Sequence, residues 1–555
     1  MRFAFSTGEV DRTPSATYTE TAFPVPAVPW SDFQYKDISD TIAKYPCLFE
    51  VVTPVHVKEL KSILSQHPNC TLVKSICDGF RNRFWPFADM EDPGQQPVGA
   101  VMRKGGSPDL DDESVDFLRQ QWDLEIRLNQ YLEGFGALLL PGMTVQPIFT
   151  APKKGSSKLW LINDHSAGSK SLNSLIPAEG GFVKLDTLSD LITNIRSWMR
   201  ENGGIRPVFI WKSDASQAYR QLLMHPRWQV RQAMLVDGEY HVDRCAVFGN
   251  RASGRLWCLF FGLVCWAATH ICGIDNMLHY VDNAFNVTFS DELALYEPYN
   301  HHMPIDQAKF LCLLDSIGIL HESHKQQFGE SLEVIGFIID LRNMSITMPA
   351  ESKSKLVQAI CDFVNHLPEP WWHLTCAWLH ILGHANWALN VFPLLKPGLN
   401  SAYDKVAGHT YMNAPVYLNK QISSDLLWFA DQAKVLDGIR FFDAEEWEAQ
   451  DANFEIWGDA SATGLAFWSP THGVAYIADP VVDAEKQFSV FFNEALTILA
   501  ALEWAATLEL PPKCLAIHTD SMTSFSIFNS LRAISTYNPI ILQSVKVRLK
   551  SKIDL

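Results

Sequence analysis

The sequence predicts an α+β chain built from several domains. Between residues 136 and 348, short β-branched runs such as 208–211 and 334–339 alternate with helical stretches, a pattern typical of a mixed unit. Residues 350–445 are rich in Trp and favour helices, and strand patterns return from Phe454 onward, with a helix at about 492–508 between them. A chain of 555 residues exceeds one compact core, and roughly 150 residues per domain gives three or four domains.

Composition indicates a soluble intracellular protein, in the cytoplasm or the nucleus. Hydrophobic residues make up 47% and charged residues 19%, as in ordinary globular chains. No apolar run reaches the roughly 20 residues that span a bilayer, so no membrane partner is expected. The 11 cysteines form no Cys-x-x-Cys pair, which argues against a structural zinc site and a disulfide framework.

The first 135 residues precede the mixed unit and divide into two parts. Residues 1–50 contain the proline-rich run 23–29, which lacks helix hydrogen bonds, so we predict an irregular N-terminal arm. Residues 51–135 are predicted to form a helical N-terminal region. Within it, residues 114–134 place apolar side chains at intervals of three and four, the spacing of an amphipathic helix.

The net charge of −17 does not by itself suggest a protein that grips phosphates, because nucleic-acid-binding domains usually carry a basic surface. Any basic surface must therefore be local. Two clusters qualify: Lys153, Lys154 and Lys158, and Lys546, Arg548, Lys550 and Lys552. On their own, such clusters are more often solvated faces than phosphate-binding sites.

Two aspartates follow strand-like runs about 70 residues apart. Asp214 ends the run 208–214, and Asp282 lies between apolar flanks in the segment 277–285, as a carboxylate in a hairpin turn would. Two acids on adjoining strands can share divalent cations for phosphoryl transfer. The alternative is that each aspartate caps a turn.

The order of these acids and the segment between them resembles the palm motifs of reverse transcriptases. Asp214 matches the acid of the first motif, residues 248–257 the template-gripping motif, and residues 280–283 the Tyr-x-Asp-Asp box. The Phe-Gly-x-Arg-x-Ser form is most similar to tyrosine-recombinase retrotransposons and, more distantly, to hepadnaviral polymerases. The resemblance implies a right-hand polymerase with fingers and palm at 136–348 and a helical thumb or connection at 349–450.

The resemblance also implies partners and residue roles. The partners are a template-primer of RNA or DNA and deoxynucleoside triphosphates, and protein partners stay unknown. Asp214 and Asp282 would bind Mg²⁺ or Mn²⁺, with Asn283 beside them, and Lys325 would protonate the departing pyrophosphate unless it is a surface lysine. Tyr219 would block a ribose 2′-hydroxyl unless it is a core residue. The implied nucleotide-binding residues are Lys154, Lys158, Tyr219, Phe248 and Gly249.

A second set of acids lies in residues 451–555. Asp459 is on a strand-like run, Glu494 opens a helical run, and Asp520 follows another strand-like run. This order resembles ribonuclease H, where such acids hold two magnesium ions; alternatively, Glu494 complements a helix N-terminus. The family has a fourth acid in a later segment. We therefore expect a ribonuclease H-like α/β domain that is incomplete at its C-terminus, with Asp554 a poor substitute for the fourth acid.

Two positions depart from the reverse transcriptase pattern. Trp160 stands where the fingers hairpin usually has an Arg, and Asn283 stands where the box usually has its second Asp. An amide oxygen can bind a cation but brings no negative charge. Two hypotheses follow: an RNA-directed DNA polymerase of a retroelement with a linked ribonuclease H-like domain, or a catalytically decayed nucleic-acid-binding remnant of the same fold.

Overall fold

A computed structural model of the chain describes residues 14–50, 52–90, 112–128, 130–152, 159–168, 171–177, 183–201, 208–365, 372–440, 447, 449–480 and 490–555. For residues 112–115, 151–152, 160, 200–201 and 440 it describes the backbone alone. The described residues fall into two compact units, one within Arg12–Gly329 and one within Glu330–Leu555. Both units mix helices and strands. Within the described part, no helix is both long enough and apolar enough to cross a membrane.

The unit within Arg12–Gly329 is built on a four-stranded sheet. Its helices are α1 (Lys36–Lys44), α2 (Val57–Ile63), α3 (Cys70–Asn82), α4 (Asp112–Arg127), α5 (Leu188–Glu201), α6 (Pro226–Gln229), α7 (Ser253–His270) and α8 (Ile305–Ile317). Its strands are β1 (Ile148–Pro152), β2 (Leu159–Asn163), β3 (Val208–Asp214), β4 (Ala233–Val236), β5 (Glu239–Val242), β6 (Leu278–Tyr280), β7 (Asn283–Phe289), β8 (Leu293–Tyr296), β9 (His301–Pro304) and β10 (Gln327–Gly329). The sheet order is β10-β3-β7-β6, and β1-β2, β4-β5 and β8-β9 are separate hairpins.

Helix α7 lies at the centre of this unit. Its sequence is apolar on all sides, which is the pattern of a helix buried in a core. Trp257, Phe260 and Phe261 on α7 belong to one hydrophobic cluster with Trp211 of β3 and Phe310 of α8. The sheet that carries Asp214 is therefore held against a helix that is buried along most of its length.

Residues 14–50 differ from the irregular arm that we predicted. They form α1 and three 3₁₀ turns at Ser15–Glu20, Trp30–Gln34 and Pro46–Leu48. Two buried acid contacts fix the segment: Asp32 accepts from Arg227 and Arg231, the latter at 2.6 Å, and Asp186 accepts from the Ser15 hydroxyl at 2.6 Å. Local composition could not indicate this order, because the partners lie about 170 to 200 residues away in the chain.

The unit within Glu330–Leu555 contains two four-stranded sheets. Its helices are α9 (Ala350–Asn365), α10 (Thr375–Ala388), α11 (Pro397–Val406), α12 (Lys420–Val435), α13 (Val490–Ala506), α14 (Met522–Ser530) and α15 (Asn538–Ser551). Its strands are β11 (Ser331–Val334), β12 (Phe337–Asp340), β13 (Ser345–Thr347), β14 (Trp372–Leu374), β15 (Pro415–Tyr417), β16 (Ile439–Arg440), β17 (Phe454–Ala460), β18 (Leu465–Ser469), β19 (Val474–Ala478) and β20 (Leu515–His518). The sheet orders are β11-β12-β13-β16 and β19-β18-β17-β20.

The boundary between the two units lies earlier than the end of the fingers and palm that we predicted at residue 348. Strands β11, β12 and β13 belong to the second unit, where β13 pairs with β16 through Ile346 and Ile439. Leu394, from the predicted thumb or connection, packs in one hydrophobic cluster with Leu499 of α13 and Phe528 of α14. The helical region and the region with the second acid set therefore share a core.

The Asp32 contacts lead to a prediction for stability. Asp32 is fully buried and faces two buried guanidinium groups. Asp32→Asn leaves both positive charges without a buried counter-charge, and removing one partner of a buried ion pair costs about 3–5 kcal/mol. We expect urea unfolding to show a loss of that size.

The matched control for that experiment is Asp40→Asn, because Asp40 is an exposed acid on α1. Its free energy of unfolding should change by less than about 0.5 kcal/mol. Equal unfolding midpoints for the two variants would contradict the assigned role of Asp32.

Candidate active sites

The first acid pair lies at one end of the central sheet of the Arg12–Gly329 unit. Asp214 is the last residue of β3 and lies directly opposite Asn283, the first residue of β7. Asp282 is in the two-residue turn between β6 and β7, which closes with Tyr280 opposite Asn283. The amide of Ala215 donates to the Asp282 carbonyl at 2.9 Å. Strand pairing thus brings Asp214, Asp282 and Asn283 together.

The turn that carries Asp282 has a strained backbone. Val281 has a φ of +56°, a left-handed conformation that β-branched residues rarely adopt. Such a conformation costs on the order of 1–3 kcal/mol and is retained only where neighbouring structure enforces it. Here the indole of Trp257, in the buried helix α7, donates to the Val281 carbonyl at 3.1 Å. The core therefore holds the turn in place.

Two side chains donate hydrogen bonds to these acids, and one of them, Lys325, also carries a compensating charge. The Lys325 ammonium donates to Asp214 Oδ1 at 2.8 Å, and the Asn283 amide nitrogen donates to Asp282 Oδ1 at 3.2 Å. Burial, and then the charge of Asp214, raises the pKa of the Asp282 carboxyl. Lys325, predicted as a proton donor, thus lies at the acids as the ion-pair partner of Asp214.

Two aromatic rings lie beside the acid pair. Tyr219, in the 3₁₀ turn Ala218–Gln221, has its ring centroid 4.7 Å from that of Phe248, at an interplanar angle of 48°. Burial raises the pKa of Tyr219 to about 12, with the charge of Asp282 contributing. The Phe248 ring is exposed. The Tyr219 ring therefore contacts an exposed aromatic ring and is near enough to Asp282 for the charge of that carboxyl to affect its phenol.

Gly249 is a position where a side chain would not fit. It has a φ of +112°, and a Cβ there would lie 2.4 Å from the carbonyl oxygen of Asn163, at the end of β2. Asn173 secures the same loop, because its amide donates to the Gly249 carbonyl at 2.6 Å and its oxygen accepts from the Arg251 amide at 2.8 Å. The loop after Phe248 is thus fixed against the β1-β2 hairpin.

Part of the predicted nucleotide site cannot be placed. Lys153, Lys154 and Lys158 lie outside the described residues. Trp160 is described by its backbone, which pairs with Ala151 across the β1-β2 hairpin.

A buried ion network behind Tyr219 was not foreseen from the sequence. Arg220 donates to Asp243 and to Glu125 of α4, each at 2.9 Å, and its guanidinium lies 4.9 Å from the ring centroid of Tyr131. Because Arg220 follows Tyr219 directly, this network fixes the backbone that positions the Tyr219 ring. The one sequence signal was a charged residue within an apolar stretch, which does not identify its partners.

The second acid set converges on one point in the Glu330–Leu555 unit. Asp459 lies on β17, Glu494 near the start of α13, and Asp520 just after β20, which pairs in parallel with β17. One carboxylate oxygen from each lies within 4.8 Å of the others. Glu494 also accepts from the Ala460 amide at 3.2 Å, and burial raises its pKa, as do the charges of Asp459 and Asp520.

These three carboxylates suit a hard divalent cation. Mg²⁺ and Mn²⁺ prefer oxygen ligands, and clustered carboxylates supply both the ligand atoms and the negative charge. Within the described part of the chain, none of the three forms an ion pair with Lys or Arg. The cluster is thus free of the lysine contact that Asp214 makes.

An aromatic pocket of about 590 Å³ adjoins the second acid set. Its walls include Trp457, Trp468 and Ile477, and the His518 ring stacks on Trp457 with centroids 4.5 Å apart. The alternating burial along β17 accounts for it, because every second residue points away from α13. This pocket was not predicted, although that alternation is readable in the sequence.

The C-terminal charged residues behave differently from one another. Asp554 is buried, accepting from Arg548 at 3.1 Å and from the Trp447 indole at 3.0 Å, so it lies outside the acid cluster. Arg548 is also buried, whereas Lys546 and Lys550 are exposed. The predicted basic cluster is therefore not one face, because alternating positions on a helix point in different directions.

The chain matches no protein-family model and no curated protein. Among solved structures, it is similar to the foamy viral protease-reverse transcriptase dRH in complex with double-stranded DNA, at 17% identity and a TM-score of 0.44, over 95% of this chain and 82% of that chain. A complex of the foamy viral protease-reverse transcriptase with an RNA/DNA hybrid gives 14% identity, a TM-score of 0.43, and coverage of 95% and 62%. A complex of the foamy viral protease-reverse transcriptase with double-stranded DNA gives 15% identity and a TM-score of 0.43, over 91% of this chain and 92% of that chain. Likeness at this level does not assign a function.

The buried His165 leads to a prediction of pH dependence. Burial lowers the pKa of His165 to about 3 from its ordinary 6.5. Between these two pH values His165 is therefore protonated in the unfolded chain and neutral in the folded chain. Its contribution to stability is therefore complete above pH 6.5 and is lost as the pH falls. Between pH 7 and pH 5 this loss amounts to about 2 kcal/mol.

Urea unfolding at several pH values tests this dependence. We expect the free energy of unfolding of His165→Gln to fall less steeply between pH 7 and pH 5 than that of the unchanged chain. His324→Gln, at an exposed histidine, should keep the original slope. Equal slopes for all three proteins would show that His165 is protonated in the folded state.

Proposed function

We propose that the chain is an RNA-directed DNA polymerase of a retroelement with a linked ribonuclease H-like domain. One observation supports the proposal: strand pairing brings Asp214 and Asp282, separate in the sequence, together with Asn283 at one end of one sheet. Their order along the chain, with residues 248–257 between them, is the order that resembles reverse transcriptases. The proposed partners are a template-primer of RNA or DNA and deoxynucleoside triphosphates.

In the polymerase site, Asp214 and Asp282 would hold Mg²⁺ or Mn²⁺, with the Asn283 amide oxygen as a neutral ligand. The cation would stabilise the charges of the attacking and leaving oxygens in nucleotidyl transfer. Tyr219 would limit the space beside the sugar and so favour deoxynucleotides. Lys325, whose ammonium contacts Asp214, would donate its proton to the leaving pyrophosphate after it releases Asp214.

In the nuclease-like site, Asp459, Glu494 and Asp520 would hold the same kind of cation. The cation would supply an activated water and stabilise the leaving oxygen in hydrolysis of an RNA strand. Glu494 is fixed by the Ala460 amide, while Asp459 and Asp520 are exposed and open to a ligand. The domain therefore presents its acids on an accessible face.

A specific observation supports the alternative of a decayed nucleic-acid-binding remnant. At the polymerase site, Lys325 already neutralises Asp214, and Asn283 donates its amide to Asp282 instead of adding a charge. Among the described residues, this site then offers a metal ion two carboxylates, and one of them, Asp214, forms an ion pair with Lys325. Weak metal binding would preserve the fold and the template cleft without turnover.

Primer extension on an RNA template with Mg²⁺ or Mn²⁺ separates the two functions. We expect the unchanged chain to extend the primer and Asp282→Asn to reduce extension at least about 100-fold, because a carboxylate ligand is lost. Asn283→Asp should lower the Mg²⁺ concentration needed, because it restores a charge. Asp275→Asn, at an exposed acid before β6, should leave extension unchanged.

A different outcome would establish the remnant. The unchanged chain would then bind the template-primer without extending it, and the double variant Asn283→Asp with Trp160→Arg would regain extension. Extension that Asp282→Asn does not reduce would contradict both readings of the site.

Metal binding at the second acid set has its own prediction. In a background in which Asp214 and Asp282 are both changed to Asn, we expect Mn²⁺ titration followed by electron paramagnetic resonance to show a remaining site. Glu494→Gln should weaken that site at least about tenfold, since a central charged ligand is lost. Glu503→Gln, at an exposed acid on the same helix, should not. Equal Mn²⁺ affinities for these two variants would exclude a metal site at the cluster.

A further inference from the structure

A second pocket of the Glu330–Leu555 unit has a lining that includes no member of either acid set. It has a volume of about 580 Å³ and is bounded by α10, α11 and the segment after α14. Its polar lining consists of Asn386, Lys396, Asn400, Tyr403, Asp404 and Arg532. Neither the resemblance nor the acid chemistry assigns a role to this pocket.

Two positive charges face this pocket. Lys396 is partly buried and donates to the Ser530 carbonyl at 2.7 Å. Burial lowers the pKa of its ammonium, and the charge of Arg532 lowers it further. Within the part of the chain that the structure describes, the Arg532 guanidinium forms no hydrogen bond or ion pair. The two cations therefore repel one another, and among the described residues neither forms an ion pair with an acid.

The acid of the pocket makes no direct contact with the two cations. Asp404 accepts from the Ser535 hydroxyl at 3.2 Å, and among the described residues it forms no ion pair with Lys396 or Arg532. The lining thus carries two cations against one acid, and an external anion would meet two cations that no carboxylate contacts directly. The net charge of −17 repels a polyanion from most of the chain, so a polyanion would approach at a local pair of cations such as this one.

The backbone before Arg532 is held in position by buried amides. Leu531 has a φ of +56°, and its carbonyl accepts from the Asn400 amide at 3.0 Å. Asn400 also donates to Asn538 at 2.8 Å, and Asn538 in turn donates to the Pro397 carbonyl at 3.0 Å. This network joins α11 to the start of α15. The Arg532 side chain therefore projects from a fixed point, which lowers the entropy that binding costs.

We propose that this pocket binds a backbone phosphate of a nucleic-acid strand through Arg532 and Lys396. The planar guanidinium can give two parallel hydrogen bonds to phosphate oxygens, and the ammonium adds a point charge. Tyr403 and Ile534, both exposed, supply apolar surface for the adjoining sugar or base. The choice of a strand over a free nucleotide rests on the proposed function, whereas the phosphate chemistry rests on the pocket alone.

Equilibrium binding of a fluorescent RNA/DNA hybrid of about 20 base pairs tests the site, in EDTA so that metal-dependent chemistry is silent. We expect Arg532→Gln to weaken binding about fivefold at 50 mM KCl. It should also reduce the slope of log K against log salt by about 1, because one phosphate contact is lost. Arg532→Glu should weaken binding further. The matched control is Lys405→Gln, an exposed lysine of α11 that does not line the pocket.

Further arms distinguish the possible sources of phosphate. Inorganic phosphate and a deoxynucleoside monophosphate are titrated as competitors of the hybrid, and thermal unfolding confirms that Arg532→Gln is folded. Equal hybrid affinities and salt slopes for Arg532→Gln and Lys405→Gln would overturn the proposal. Arg532-dependent binding of the monophosphate alone would also overturn it, in favour of a nucleotide site. Because no turnover is measured, a failure of primer extension leaves the result interpretable.

Discussion

The pairing of β3 with β7 is the constraint on which the polymerase-like site depends. Seven consecutive residue pairs, from Val208 with Phe289 to Asp214 with Asn283, fix the register of the two strands. A shift of one residue would turn every side chain to the opposite face of the sheet and separate Asp214 from Asp282. The buried α7 resists such a shift, because its Trp257 both packs in the core and binds the turn at Val281.

The buried charges of the Arg12–Gly329 unit form a second constraint on how its segments pack. Asp32 with two arginines, and Arg220 with two acids, connect segments far apart in the sequence. Buried ion pairs add little net stability, but a misplaced partner leaves a bare charge in the interior. They therefore penalise alternative packings of the N-terminal segment and of the turn that carries Tyr219. The order of residues 14–50 follows from these contacts.

Local patterns in the sequence reached the elements that carry the acids and little beyond them. The run that ends at Asp214, the turn at Asp282 and the positions of Asp459, Glu494 and Asp520 follow from alternation, turn composition and helical spacing, which are properties of neighbouring residues. The 3₁₀ turns of residues 14–50, the pairing of β13 with β16 and the partners of Arg220 depend on distant residues. A single sequence contains no signal for such pairings. The pocket lined by Lys396 and Arg532 was missed for the same reason, since these two residues are 136 positions apart.

The two acid sets differ in charge, and this difference bears on how each would work. Asp459, Glu494 and Asp520 concentrate three carboxylates within 4.8 Å without a Lys or Arg partner among the described residues. The other set has two carboxylates, Asp214 and Asp282, and the Lys325 ammonium neutralises the charge of Asp214. Because each cation must displace protons or ammonium groups from its ligands, the second set would be the stronger of the two proposed metal sites at a given pH. Divergence that spares the fold would therefore remove metal binding first at the Asp214 set, where binding would depend on whether Lys325 releases Asp214.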